Sequence, residues 1–203
     1  MFAFIAQGVS LGFAAGAMPG PFTGYLVSLT LAYGWRRSLV VVLSPLLTDG
    51  PIILAVALLL QQLPAGFIQA VQVAGGLYLL WIAWGAWRRF RVGSALAGGG
   101  PPPARTLAQG LMMNWLSPGP YLFWTTVNGP LLVRALGESA WHGLAFLAAF
   151  YGTFLGFLAL YVIVFDRLRR LDDRVTRGLL LLTIGVMAVF GLALIRQGLL
   201  PAA

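Results

Sequence analysis

The chain has 203 residues, 60% of them hydrophobic and only 9% charged, where a soluble domain carries about 25% charged residues. That balance excludes a water-soluble globule. The net charge of +8 rests on 13 basic residues, all arginine, clustered between apolar runs, where topology and lipid headgroups explain it better than nucleic acid does. With no cysteine and a single histidine, His142, the chain offers no thiol relay and no metal-ligand set, so no cofactor is expected.

The long apolar stretches predict an all-α polytopic membrane protein with six spans, near 2 to 33, 38 to 60, 66 to 87, 106 to 133, 143 to 165 and 178 to 199. Because the first arginine is Arg36, the N-terminus lacks a basic n-region and no cleaved signal peptide is expected.

Span one carries Met18-Pro19-Gly20-Pro21. Two prolines around a glycine remove two backbone donors and clash with carbonyls four residues back, so the helix must break. The same span has Gly8, Gly12, Gly16, Gly20 and Gly24 at intervals of four. Such a stripe lets another backbone come close, and span four or a second subunit is the expected partner.

Span two holds Asp49 within Thr48-Asp49-Gly50-Pro51, the one acid expected near the bilayer midplane. Burying its charge costs on the order of 2.5 to 3.5 kcal/mol, and no arginine falls inside a span to pair with it, Arg196 lying at the end of the last one. It must be protonated, hydrated, bonded to amides of a broken helix, or paired with a bound cation. A plain alternative is that it caps the broken end of span one.

Span three ends in Trp81, Trp84 and Trp87, spaced as an interfacial or packing stripe. A Gly- and Pro-rich linker follows at 94–105, dividing a first three-helix unit (1–93) from a second (106–203). Span four then repeats the first motif as Ser117-Pro118-Gly119-Pro120, preceded by Gln109-Gly110 as the first is by Gln7-Gly8. Three spans per half force the second half to cross in the opposite sense, giving a 3+3 inverted repeat with broken helices one and four. Unwound backbone is tolerated at this depth only when buried in protein or lining a wet cavity. Two breaks meeting there would offer free amides and carbonyls to an anionic and a cationic group. Asn114 either satisfies backbone or faces a ligand.

Loop five carries Asp166, Asp172 and Asp173 among five arginines, read as intraloop ion pairs worth about 1 kcal/mol or less. Loops one, three and five together hold 11 of the arginines and the opposite side two. The positive-inside rule therefore puts those loops in the cytoplasm and both termini outside.

Gly16-Ala17-Met18-Pro19-Gly20-Pro21 with the mid-span acid Asp49, Gly75-Gly76-Leu77-Tyr78-Leu79, and Asn114 before a proline motif resemble the lysine exporter (LysE/RhtB) family of bacterial amino-acid exporters. The resemblance implies proton-driven efflux of an amino acid or related small metabolite across the bacterial plasma membrane, with a homodimer as one assembly. Where such proteins often have Asn-Pro-Lys, this chain has Ser117-Pro118-Gly119, and Gly119 supplies no positive charge.

The first functional expectation is thus a secondary exporter, not an enzyme. Its small-molecule substrate would sit between Pro19, Gly20 and Pro21 on one side and Pro118, Gly119 and Pro120 on the other. Asn114, Ser117 and Tyr121 would shape the site, and Asp49 would exchange a proton. The second is a passive ion channel or ion transporter using Asp49 as a cation site, which would need oligomerisation to build a charged ring. An aspartyl hydrolase would need two carboxylates sharing a proton, and Asp166 falls at the far end of span five.

Overall fold

The computed structural model describes residues 1–18, 20–58, 65–92, 103–170 and 172–200, and every regular element among them is helical. In order they are α1 (Phe2–Ala17), α2 (Pro21–Tyr33), α3 (Trp35–Val42), α4 (Ser44–Leu58), α5 (Ala65–Arg91), α6 (Pro103–Trp115) and α7 (Pro118–Phe123), followed by a π-helical turn (Trp124–Asn128). The chain closes with α8 (Gly129–Glu138), α9 (Ala140–Arg169) and α10 (Asp173–Leu199).

Four helical stretches are long and apolar enough to cross a membrane: Trp35–Leu54, Gln69–Arg91, Ala140–Arg169 and Asp173–Leu199. A fifth is the pair α1 and α2, bent by 64°. The bend lies at the first Pro-Gly-Pro: α1 stops at Ala17, and α2 restarts at Pro21 with extended Gly20 as its N-cap. Proline suits that first helical position because its missing N–H would have no partner there. Pro19 lies outside the described residues, as do 94–102 of the expected linker; residues 103–105 already belong to α6.

The stretch expected as span four is instead interrupted after α6, which has 13 residues; beyond the break, pieces of 6, 5 and 10 residues run on without a gap from Pro118 to Glu138. Pro118 and Pro120 stop α6 from continuing. Pro130, which cannot donate to the turn before it, follows the π segment. Arg36 and Arg37, expected in a loop, fall in the first turn of α3.

The tightest approaches are made by glycine. Gly8 and Gly12 of α1 lie so close to α9 that a Cβ on either would meet the carbonyl oxygens of Phe146 and Phe150, and one on Gly16 would meet the Phe157 ring. The partner of the Gly8, Gly12 and Gly16 stripe is therefore α9, the stretch expected as span five, and not the stretch expected as span four. The stripe ends there: nothing lies near a Cβ on Gly20, and Gly24 only touches Met187. On the other side α5 packs on α10, with Gly76 set against the backbone of Gly191. α6 lies against α3 and α4, and α2 against α9 and α10.

Phe22, Tyr25, Leu26, Val41, Leu79, Met113, Leu158 and Met187 close one core, and Phe4, Ile52, Trp124, Phe146 and Phe150 a second. Leu54, Leu144, Leu160, Leu182, Val189 and Leu192 stay exposed on the outer faces, as side chains solvated by lipid do.

The corner between α2 and α3 is pinned to α9. Gly34 has φ 83° and ψ 173°, a region that is essentially glycine-only. Buried Asp166 accepts from the Trp35 N–H at 3.1 Å and from Arg170 Nη2 at 2.7 Å, while Arg169 Nη1 donates to the Thr30 carbonyl at 3.5 Å. Asp166 thus does form the expected local ion pair, but it also joins two spans, which its place among loop arginines did not announce. Asp172 caps α10 through the Arg174 N–H at 2.7 Å. Gly34→Ala is expected to cost about 1 to 3 kcal/mol, read as a lower Tm of the purified protein in detergent.

Candidate functional site

Asp49 lies mid-way along α4, only 4% exposed. Its carboxylate gathers three donors from three separate pieces of chain. Asn114 Nδ2 near the end of α6 donates to Oδ1 at 3.2 Å; Trp124 Nε1, at the start of the π turn, donates to Oδ2 at 3.2 Å; and the Tyr151 hydroxyl of α9 donates to Oδ2 at 3.0 Å. No Arg or His forms an ion pair with it among the described residues. All three donors belong to the second half of the chain and the acid to the first.

A second layer holds these donors in place. Asn114 Nδ2 also donates to Thr48 Oγ1, and Thr48 in turn donates to the Ser44 carbonyl at 2.9 Å. Trp115 Nε1 reaches the Thr48 carbonyl at 3.4 Å, and the Tyr121 hydroxyl donates to the Trp115 carbonyl at 2.9 Å. Tyr121 also meets Phe67 of α5 edge-on, with ring centroids 5.5 Å apart. Helix breakage leaves carbonyls such as that of Trp115 without an α-helical donor, and side chains supply it.

The π turn solves a related problem. Widening the turn moves each N–H one carbonyl back; the Gly129 N–H, for instance, bonds to Trp124 O. The hydroxyls of Thr125 and Thr126 donate to Tyr121 O at 2.8 Å and to Leu122 O at 2.6 Å, covering backbone that the widened turn leaves under-bonded. Asn128, at the end of the turn, is fully buried, and neither of its amide atoms has a hydrogen-bond partner among the described residues.

Of the residues expected at a site, Asp49 and Asn114 are brought together directly, and Tyr121 enters through Trp115. Ser117 and Pro118 are buried at the break between α6 and α7, while Gly119 is exposed beside them. Gly20 and Pro21 are partly exposed, with open space around Gly20. The packed partners of α7 are α4, α5, α6 and the π turn, whereas α1 packs on α9. Asp49 does not cap the end of span one. It is held by side-chain donors of α6, the π turn and α9, and not by helix-end amides. Trp124, Tyr151 and Asn128 were missed by sequence reasoning. The signal available for two of them was Trp124-Thr125-Thr126-Val127-Asn128, a polar run inside an apolar stretch.

The arrangement provides a buried carboxylate without a cationic partner among the described residues, at a seam where a proton or a cation can exchange against neutral donors. No match was found among curated proteins or among solved structures. The model of the LysE type translocator family matches residues 13–198, which takes in Asp49, every donor to it and both Pro-Gly-Pro breaks. A multi-pass helical chain with a shielded acid at the junction of its halves, matched over nearly its whole length, belongs to the LysE type translocator family.

Proposed function

We propose that the chain exports an amino acid or related small metabolite by proton antiport, with Asp49 as the proton carrier and the cluster around Asn114, Trp124 and Tyr151 as its switchable set of donors. Membership of a translocator family makes it a membrane transporter of small molecules; the coupling and the site are our reading. The observation that carries it is the ownership of the hydrogen bonds: the acid comes from one half and all three donors from the other. A relative movement of the halves therefore changes the solvation of Asp49, and a change of its charge biases that movement, which is the linkage an antiporter requires.

In this reading α6 to α8 together form one broken span, giving six spans as two inverted units, 1–93 and 106–203, around the 94–105 linker. The packing supports it. The first span of one half lies on the second span of the other, α1 and α2 on α9, just as α6 lies on α3 and α4, while α5 and α10, the third of each, pair with each other. An axis in the membrane plane would relate these contacts.

The cytoplasmic face is assigned from charge. The ends of α2, α5 and α9 and the start of α3 are gathered together through Asp166, Tyr33 and Arg169, the start of α6 is joined to α2 by the Tyr25 hydroxyl on the Thr106 carbonyl, and these segments carry most of the arginines. The positive-inside rule makes that end cytoplasmic and both termini external, in the plasma membrane of a bacterium.

The test is efflux from reconstituted vesicles loaded with a mixed amino-acid pool under an imposed proton gradient, with the lost species read by mass spectrometry. Selective loss that collapses with the gradient is expected. Conductance without gradient coupling would overturn the antiport reading in favour of an ion pathway through Asp49.

A further inference from the structure

Away from Asp49, α2, α5, α6 and α10 enclose a cavity of about 440 Å³, within the range of small-ligand sites. Its depth follows the helices. At the arginine-rich end stand Tyr33, Arg88, Arg89 and Arg105; toward the interior lie Tyr25 and Gln109, where the Tyr25 hydroxyl donates to Gln109 Oε1 at 3.4 Å. The lining between is apolar and aromatic and includes Trp81 and Trp84, each more than half exposed. Three arginines and no Asp or Glu line the cavity among the described residues.

Resting on the transporter reading above, we propose that this cavity is the receiving site for the transported molecule on the cytoplasmic side, and that the molecule is a small carboxylate with an apolar or aromatic body. Arg88 and Arg105 are exposed where they line the pocket, and positive charge at the rim of a cleft with low-dielectric walls raises the local concentration of anions. Arg88 lies over the Trp84 ring at 5.4 Å, and a guanidinium stacked by its face keeps edge N–H groups free for an oxyanion. The aromatic walls then cover the remainder of the molecule.

The Asp49 cluster contains no cation among the described residues, so a substrate carboxylate finds its positive charge here. The two sites share one helix: Gln109 and Asn114 are five residues apart on α6, about 7.5 Å of helical rise.

The same chemistry, an oxyanion on an apolar body, is carried by an acidic lipid headgroup, and the test separates the two. Full-length protein in nanodiscs of phosphatidylcholine alone is titrated with L-phenylalanine, L-leucine, phenylacetate and L-phenylalaninamide, reading tryptophan fluorescence and calorimetric heat. At least one of the carboxylates is expected to bind saturably and the amide not to. Arg105→Gln should weaken that binding about tenfold or more, the loss expected for a hydrogen bond to a charged group, and Arg105→Lys by less.

Equal binding of acid and amide, or of native protein and an Arg88→Gln, Arg105→Gln double variant shown to be folded by circular dichroism, would overturn the proposal. So would failure of every carboxylate to bind, with or without competition by phosphatidylglycerol. Arginine-dependent binding without gradient-driven efflux would refute the antiport reading alone; efflux indifferent to both arginines would refute this site alone.

Discussion

Asp49→Asn is expected to abolish gradient-driven efflux, by about 100-fold or more, the scale on which a positioned proton-transfer group acts, while the protein still inserts and folds. The carboxylate accepts from three donors, at 3.0 to 3.2 Å. An asparagine has the same shape but turns two of its own N–H donors toward a shell that already donates, and it carries no exchangeable charge. The fold should survive because the packing of α1 on α9 and of α5 on α10 does not pass through Asp49. The decisive comparison is efflux of the variant against its detergent Tm: lost transport at a nearly unchanged Tm supports the role, and retained proton-coupled transport refutes it. Tyr151→Phe removes one donor without changing shape and should reduce efflux about tenfold, the worth of one hydrogen bond to a charged group.

The second large effect lies at the α1–α9 contact. Gly12→Leu places four carbons where a single Cβ would already meet the Phe150 carbonyl and the Thr153 Cβ. Backbone cannot yield as a flexible side chain can, so the two helices must part along their length. The expected cost is about 3 kcal/mol, enough to lower the Tm markedly or prevent recovery of folded protein. Gly152→Ala is the counterpart: open space surrounds that position in α9, and relief of glycine's conformational freedom should stabilise by about 0.5 to 1 kcal/mol. If both variants moved the Tm alike, close approach would not be what the α1 glycines provide.

The sequence made the helical membrane class, the two breaks and the acid legible because each rests on local chemistry: hydropathy over 20 residues, proline's missing donor, a charge among apolar neighbours. What it left unread is tertiary. The four-residue interval of Gly8, Gly12 and Gly16 announces close packing but not the partner, since α9 lies more than 120 residues away. Asn114 was recognisable as a polar residue beside a break, yet its bond to Asp49 depends on α6 lying against α4. Tyr151 and Trp124 resembled any aromatic residue in an apolar helix until their polar atoms met a carboxylate. Asp166 looked like a member of a charged loop because sequence adjacency favours the i, i+4 pair with Arg170 and says nothing of the Trp35 amide. The arginines at 88, 89 and 105 were legible as topology signals, but their convergence on one cavity follows from the pairing of helices.

Between Trp124 and Asn128 the chain also solves a problem of rotational phase. Each residue of an α-helix advances about 100° around the axis, so one residue beyond a regular turn would swing all that follows by that angle unless the turn widens to take it in. Because it does widen, Trp124 keeps its indole on Asp49 while Leu132 and Ala135 of α8 stay buried. The segment therefore holds two helical phases at once. Passing the extra residue one step along the chain would carry the indole off the carboxylate by rotation alone, without displacing a helix axis.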